Sequence, residues 1–88
     1  MSLDSVFRLV RHHGRVNYDE AMERLVAIAR ERGGVVTARD VEDDDDLAAN
    51  QDLVSAAGHA LAGSTNVLAS ANDAGWFPYS ELRFTELR

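Results

Sequence analysis

Apolar residues recur at helical spacing in three stretches of the chain. In 4–13 (DSVFRLVRHH), Leu3, Phe7 and Val10 fall on one stripe with Val6 beside it, and Arg8 and Arg11 lie on the other side. Asp4 near the start and Arg11 near the end suit the helix dipole, and Gly14 closes the segment. The pattern predicts a short helix. In 17–33 (NYDEAMERLVAIARERG), Tyr18, Met22, Leu25 and Ala29, with Val26 and Ile28 beside them, form a 3.6-residue stripe. Asn17 is a good N-cap with Glu20 three positions on, and Glu20 and Arg24 are an i,i+4 pair in the favourable order. Gly33-Gly34 supplies the stop. From Leu47 the chain turns helical again, with Leu47, Val54, Ala57, Gly58 and Leu61 on one face, Leu53 flanking it, and Gly63 at the end. Gly58, set among alanines, predicts close approach of another helix.

Between these helices, Val35-Val36 is a strand stub that needs partners arriving later. Thr37 caps a helix from Ala38, with Asp40 at its third position and Val41 as its apolar anchor. That segment runs into Asp43, Asp44, Asp45 and Asp46, where like-charge repulsion predicts a turn or helix junction. The rest reads as a hairpin. Residues 65–69 form a strand, and Asn72-Asp73-Ala74-Gly75 a turn with the glycine at positive φ. A second strand follows over 76–84, with alternating Ser80, Leu82, Phe84 against Tyr79, Glu81, Arg83. Pro78 removes a ladder donor and belongs on an edge or beyond the pairing.

Charge changes the picture more than composition does. The net charge is −6, yet residues 40–52 hold seven negatives and no positive, so the remainder carries +1, the difference between −6 and −7. The chain is a near-neutral domain with one acidic segment. Its basic counterweight is Arg8, Arg11 and Arg15, with His12 and His13 between them. A chain of 88 residues makes one domain with a thin core, which buries roughly 60–65% of its unfolded surface. Absent cysteine excludes disulfides, thiolate metal sites and a cysteine nucleophile. No apolar run approaches the roughly 20 residues of a membrane span. No charged-then-apolar leader pattern opens the chain. A cytoplasmic location without membrane contact is the expectation.

The order helix, helix, strand stub, helix, helix, strand, turn, strand resembles the winged helix-turn-helix superfamily. The resemblance is carried by Gly33-Gly34-Val35-Val36-Thr37, the two following helices, and a hairpin with Asn72-Asp73-Ala74-Gly75 at its tip. It covers about residues 17–85, with 4–13 as an additional N-terminal helix in a single 1–88 domain. It implies an α+β, mostly helical fold of three to four helices plus a C-terminal β-hairpin wing. It also implies that 47–63 would be the helix entering the DNA major groove.

That helix contains no arginine. Asn50 and Gln51 are the side chains there suited to reading adenine. The hairpin tip offers Asp73 and no base, and the acidic segment would repel phosphate where such a module approaches it. Asp43 to Asp46 are therefore candidates for docking on a basic partner, and Trp76, Phe77 and Tyr79 are candidate aromatic contacts. Arg8, Arg11, Arg15 and Arg39, with Asn50 and Gln51, are the candidates for the alternative, nucleic-acid contact. The N-terminal arginines facing the acidic segment of a second copy would give a charge-driven dimer.

Catalysis is not expected. His12 and His13 are adjacent and point about 100° apart on a helix. The aspartate run lacks the spacing of a calcium loop, Gly33-Gly34 lacks the pattern of a phosphate loop, and no base accompanies Ser55 or Ser80. No cofactor or metal is expected. The expected function is a non-catalytic winged-helix module for protein interaction or self-association, accessory to a regulatory complex. The alternative is a DNA-binding transcriptional regulator that uses the arginine-bearing N-terminal helix or an unusual face.

Overall fold

The computed structural model of the protein describes residues 17–86. The expected 4–13 helix, with Arg8, Arg11 and Arg15, lies outside the described residues. Helix α1 spans Tyr18–Glu31. It starts where the capping pattern places it. Asn17 Oδ1 accepts from the Glu20 N–H at 2.8 Å, and Glu20 Oε1 accepts from the Asn17 N–H at 3.1 Å. Ala21, Leu25 and Ala29 are fully buried at four-residue spacing, while Tyr18, read as the first residue of that stripe, is exposed. The helix ends through Gly33 at φ +74° and Gly34 at φ +102°, both left-handed, with the Gly34 N–H donating to Ala29 O at 2.7 Å.

The stub β1, Val35–Thr37, leads directly into α2, Ala38–Glu42. Thr37 and Asp40 form a second capping box, so the first turn of this five-residue helix is satisfied at both ends of the pair. Asp44 then caps α3, Asp45–Ala48, and the predicted junction at the aspartates is where α2 ends and α3 begins. The single helix expected from Leu47 to Gly63 is divided. Helix α4 begins only at Gln51 and runs to Ala62. The break lies at Ala49-Asn50, where Asn50 Nδ2 donates to Asp46 O at 2.7 Å. That bond offers the end of α3 an alternative to continued helix, which is how asparagine competes with the helical ladder.

Strand β2, Val67–Ala71, and strand β3, Tyr79–Phe84, complete an antiparallel sheet of order β1-β3-β2. β1 is registered Val36↔Leu82, and β2 is registered Val67↔Phe84 and Ala69↔Leu82. The second strand was expected from Trp76 but starts at Tyr79, and Pro78 lies beyond the ladder, its carbonyl accepting from the Asn72 N–H at 3.0 Å. Residues 72–78 are therefore a loop and not a tight turn. Gly75 is not at positive φ, contrary to the turn reading. It is needed for room instead, because a Cβ there would collide with the Glu42 carboxylate.

Among the described residues the fold is α+β, with four helices and one three-stranded antiparallel sheet, and about half of it is helical, less than the mostly helical content expected. The core is Leu25 of α1, Val36 of β1, Val41, Leu47, Val54, Phe77 and Leu82, all fully buried. No helix of the described residues is long and apolar enough to cross a membrane.

Gly58 corrects one expectation. Its near neighbour is not another helix but the Phe77 ring, whose Cε1 and Cζ would lie 2.9 Å from an added Cβ. Gly58→Ala therefore sets a gain of about 1 kcal/mol in helix propensity against about 1–3 kcal/mol of overpacking. A net loss is expected, with a lower urea midpoint at unchanged slope. A higher midpoint would show that the ring moves freely aside.

Candidate interaction surface

The acidic segment does not form a uniform charged face. Asp44 is turned inward: its Oδ1 accepts from the Asp46 and Leu47 N–H groups at 3.0 and 3.1 Å, and its Oδ2 meets Arg24 Nη2 at 2.6 Å. Both side chains of that pair are largely buried, at 14% and 17% exposure, so the pair is far better shielded than an ordinary surface bridge. Asp40 shares its carboxylate between the Thr37 cap and Arg32 at 3.4 Å. Asp43 faces Arg39 at 3.7 Å with both side chains open to solvent. Asp45 and Asp46 occupy the first turn of α3, where the positive helix end favours them.

These three arginine–aspartate pairs line an open cleft of about 500 Å³ between α1 and the α2–α3 junction. Its cations and anions face one another, so the cleft presents little net charge to an outside ion. Among the described residues no group of three histidine or acidic side chains is placed to hold a metal.

The aromatic candidates are drawn together where the 72–78 loop enters β3, against α4. Phe77 is the largest fully buried side chain. Trp76 and Tyr79 flank it edge-on, with ring centroids 6.1 Å away in both cases. The Tyr79 hydroxyl and His59 Nδ1 are hydrogen-bonded at 2.7 Å. Phe77 is thus part of the core, and only Trp76 and Tyr79 reach the surface, each half-buried.

Of the nucleic-acid candidates, Gln51 is exposed at the first turn of α4 and Asn50 precedes it with its amide bound to Asp46 O. Asp45, Asp46 and Asp52 border them along the chain. Arg39 lies on α2, 90% exposed, next to Asp43. Arg8, Arg11 and Arg15 lie outside the described residues.

A different surface emerges that was not singled out beforehand. No charged residue occurs from Leu53 to Asn72. That run supplies most of the exposed side of α4 (Ala56, His59, Ala60) and all of β2. Only Val67 of β2 is buried; Leu68 to Ala71 are exposed, and Leu68 is 60% exposed. The signal was present in the sequence as a gap in charge, beside the more conspicuous aspartates. No family model matches the chain, and no curated protein or solved structure matches it significantly.

Three of the aspartates are expected to differ sharply on substitution. Asp44→Ala removes a helix cap and the partner of Arg24, and is expected to cost about 2 kcal/mol or more. Asp43→Ala and Asp45→Ala are expected to stay within about 0.5 kcal/mol of wild type. Equal effects at all three positions in denaturant melts would show that Asp44 has no special structural role.

Proposed function

We propose that the protein is a non-catalytic, winged-helix-like module that works by contacting another protein chain. The layout supports the fold half of this reading. A strand stub between helices pairs with a C-terminal hairpin in the order β1-β3-β2, as the winged helix-turn-helix resemblance implies. The observation that carries the functional half is the charge of α4 and β2. In a DNA-binding member of that superfamily the helix in the place of α4 would enter the groove. Here neither element has a lysine or arginine, and the start of α4 follows Asp45 and Asp46 and contains Asp52. Duplex affinity comes chiefly from neutralising phosphates, and a surface without cations lacks that source.

The same feature suits protein contact. Interface centres are depleted of charge and enriched in aromatics, and Trp76 and Tyr79 are half-buried aromatics of that kind. The DNA-binding alternative would draw its phosphate contacts from Arg8, Arg11, Arg15 and Arg39, none of which belongs to α4 or β2.

Fluorescence anisotropy of a labelled random duplex tests the reading, with folding in the same buffer checked by circular dichroism. At about 50 mM salt the signal is expected to stay flat up to about 100 μM protein, the weak end of non-specific binding. A saturable rise that collapses near 200 mM salt would overturn the proposal in favour of the DNA-binding regulator.

A further inference from the structure

We propose that β2 is a docking strand for a second copy of the chain. The two β2 strands pair antiparallel about a two-fold axis and join two three-stranded sheets into one of six strands. This names the partner of the interaction surface above and rests on that reading.

The backbone provides the groups that pair. Among the described residues β2 is an edge, hydrogen-bonded to β3 on one side only. Asn66 O accepts from the Thr85 N–H, and the Asn72 N–H donates to Pro78 O, so the even-numbered residues turn their backbone groups toward the β3 side. Antiparallel alternation then turns those of Val67, Ala69 and Ala71 the other way. The Val67 N–H indeed points off the ladder, to Ser64 O at 3.3 Å. The irregularity between Ser70 and Ala71 falls on β3, where Ser80 is the extra residue, so β2 itself alternates without interruption.

The side chains leave that edge open. Natural edges are usually blocked by lysine, proline or an inward charge. Leu68, Ala69, Ser70 and Ala71 include none of these, and all four are exposed. Pairing centred on Ser70 sets Ala69 against Ala71 of the other copy, and Ala71 against Ala69, so each exchanges both backbone hydrogen bonds. Serine meets serine at the centre, and alanines admit a neighbouring backbone without collision.

Charge selects a second copy as the occupant. A chain of net −6 repels itself wherever its carboxylates face each other. The uncharged run from Leu53 to Asn72 is where two copies meet without that repulsion, and a copy brings an equally uncharged strand. A highly charged peptide would leave its own charges without partners there.

Sedimentation equilibrium of the full chain tests the proposal at about 50 mM and about 500 mM salt, across micromolar to near-millimolar protein. Twice the monomer mass is expected at both salts, because the contact contains no ion pairs. Ala69→Pro removes an N–H that does not serve the β2–β3 ladder, the position where an edge strand tolerates proline. It is expected to weaken dimerisation at least tenfold with an unchanged circular dichroism spectrum. Ser70→Lys places like charges at the two-fold centre and is expected to do the same, which covers the case of an unfolded proline variant. A monomeric wild type overturns the proposal, whether residues 1–16 or another protein cover the edge, and leaves the protein-contact reading standing. A dimer that survives both substitutions, or that dissociates at the higher salt, also overturns it. The salt-labile dimer would point instead to arginines of one copy on aspartates of the other.

Discussion

Phe77 is held at every point where a residue can be held, and the arrangement of the other elements follows from it. Its ring fills the space left by the missing side chain of Gly58 on α4. Its N–H donates to Glu42 Oε2 at 3.0 Å, which ties the loop to the end of α2. Its carbonyl accepts from Asn72 Nδ2 at 2.8 Å, which closes the loop on itself. One residue in a connecting loop thereby links α2, α4 and the hairpin. In a chain too small for a generous core, a large buried aromatic with both backbone groups satisfied is an efficient anchor. It also explains two glycines at once: Gly58 makes room for the ring, and Gly75 makes room for the carboxylate that holds its amide.

The acidic segment serves the same end. Asp40 and Asp44 begin α2 and α3, helices of five and four residues that are too short to stand on propensity. The Asp44 carboxylate accepts from the first-turn N–H groups of Asp46 and Leu47, the Asp40 carboxylate accepts from the Thr37 N–H at the cap of α2, and Arg24 and Arg32 from the α1 side balance their charge. A run that looks like an electrostatic signal directed outward is thus partly a set of caps directed inward. While those charges are engaged around the cleft, the run from Leu53 to Asn72 on α4 and β2 carries no charge, and Leu68 to Ala71 are exposed. The contrast between an internally paired charged cleft and an exposed uncharged run is the physical basis for reading the module as one that contacts protein.

Much of the fold was legible where local chemistry decides structure. Asn17 with Glu20, Thr37 with Asp40 and Gly33-Gly34 mark their boundaries because caps and left-handed turns depend on near neighbours alone. The break at Ala49-Asn50 was missed because apolar periodicity runs through it and one side-chain hydrogen bond decides the matter. The late start of β3 and the ordinary φ of Gly75 were missed for another reason. Both depend on Phe77 and Glu42, which are 35 residues apart and meet only in the folded chain. The candidate surface was harder still. Aspartates and aromatics draw attention by their chemistry, whereas an edge strand of Leu68, Ala69, Ser70 and Ala71 is notable only once its exposure and its free side are known.

The most direct measurement is the concentration dependence of backbone amide shifts by heteronuclear NMR, on dilution from about 1 mM to about 10 μM. The account requires the shifts to move chiefly at residues 68–71 and on the adjoining face of α4, and to do so alike at low and high salt. Movement centred instead on Asp43 to Asp46 and Arg39, fading as salt is added, would contradict it and return the acidic segment to the role of the contact surface.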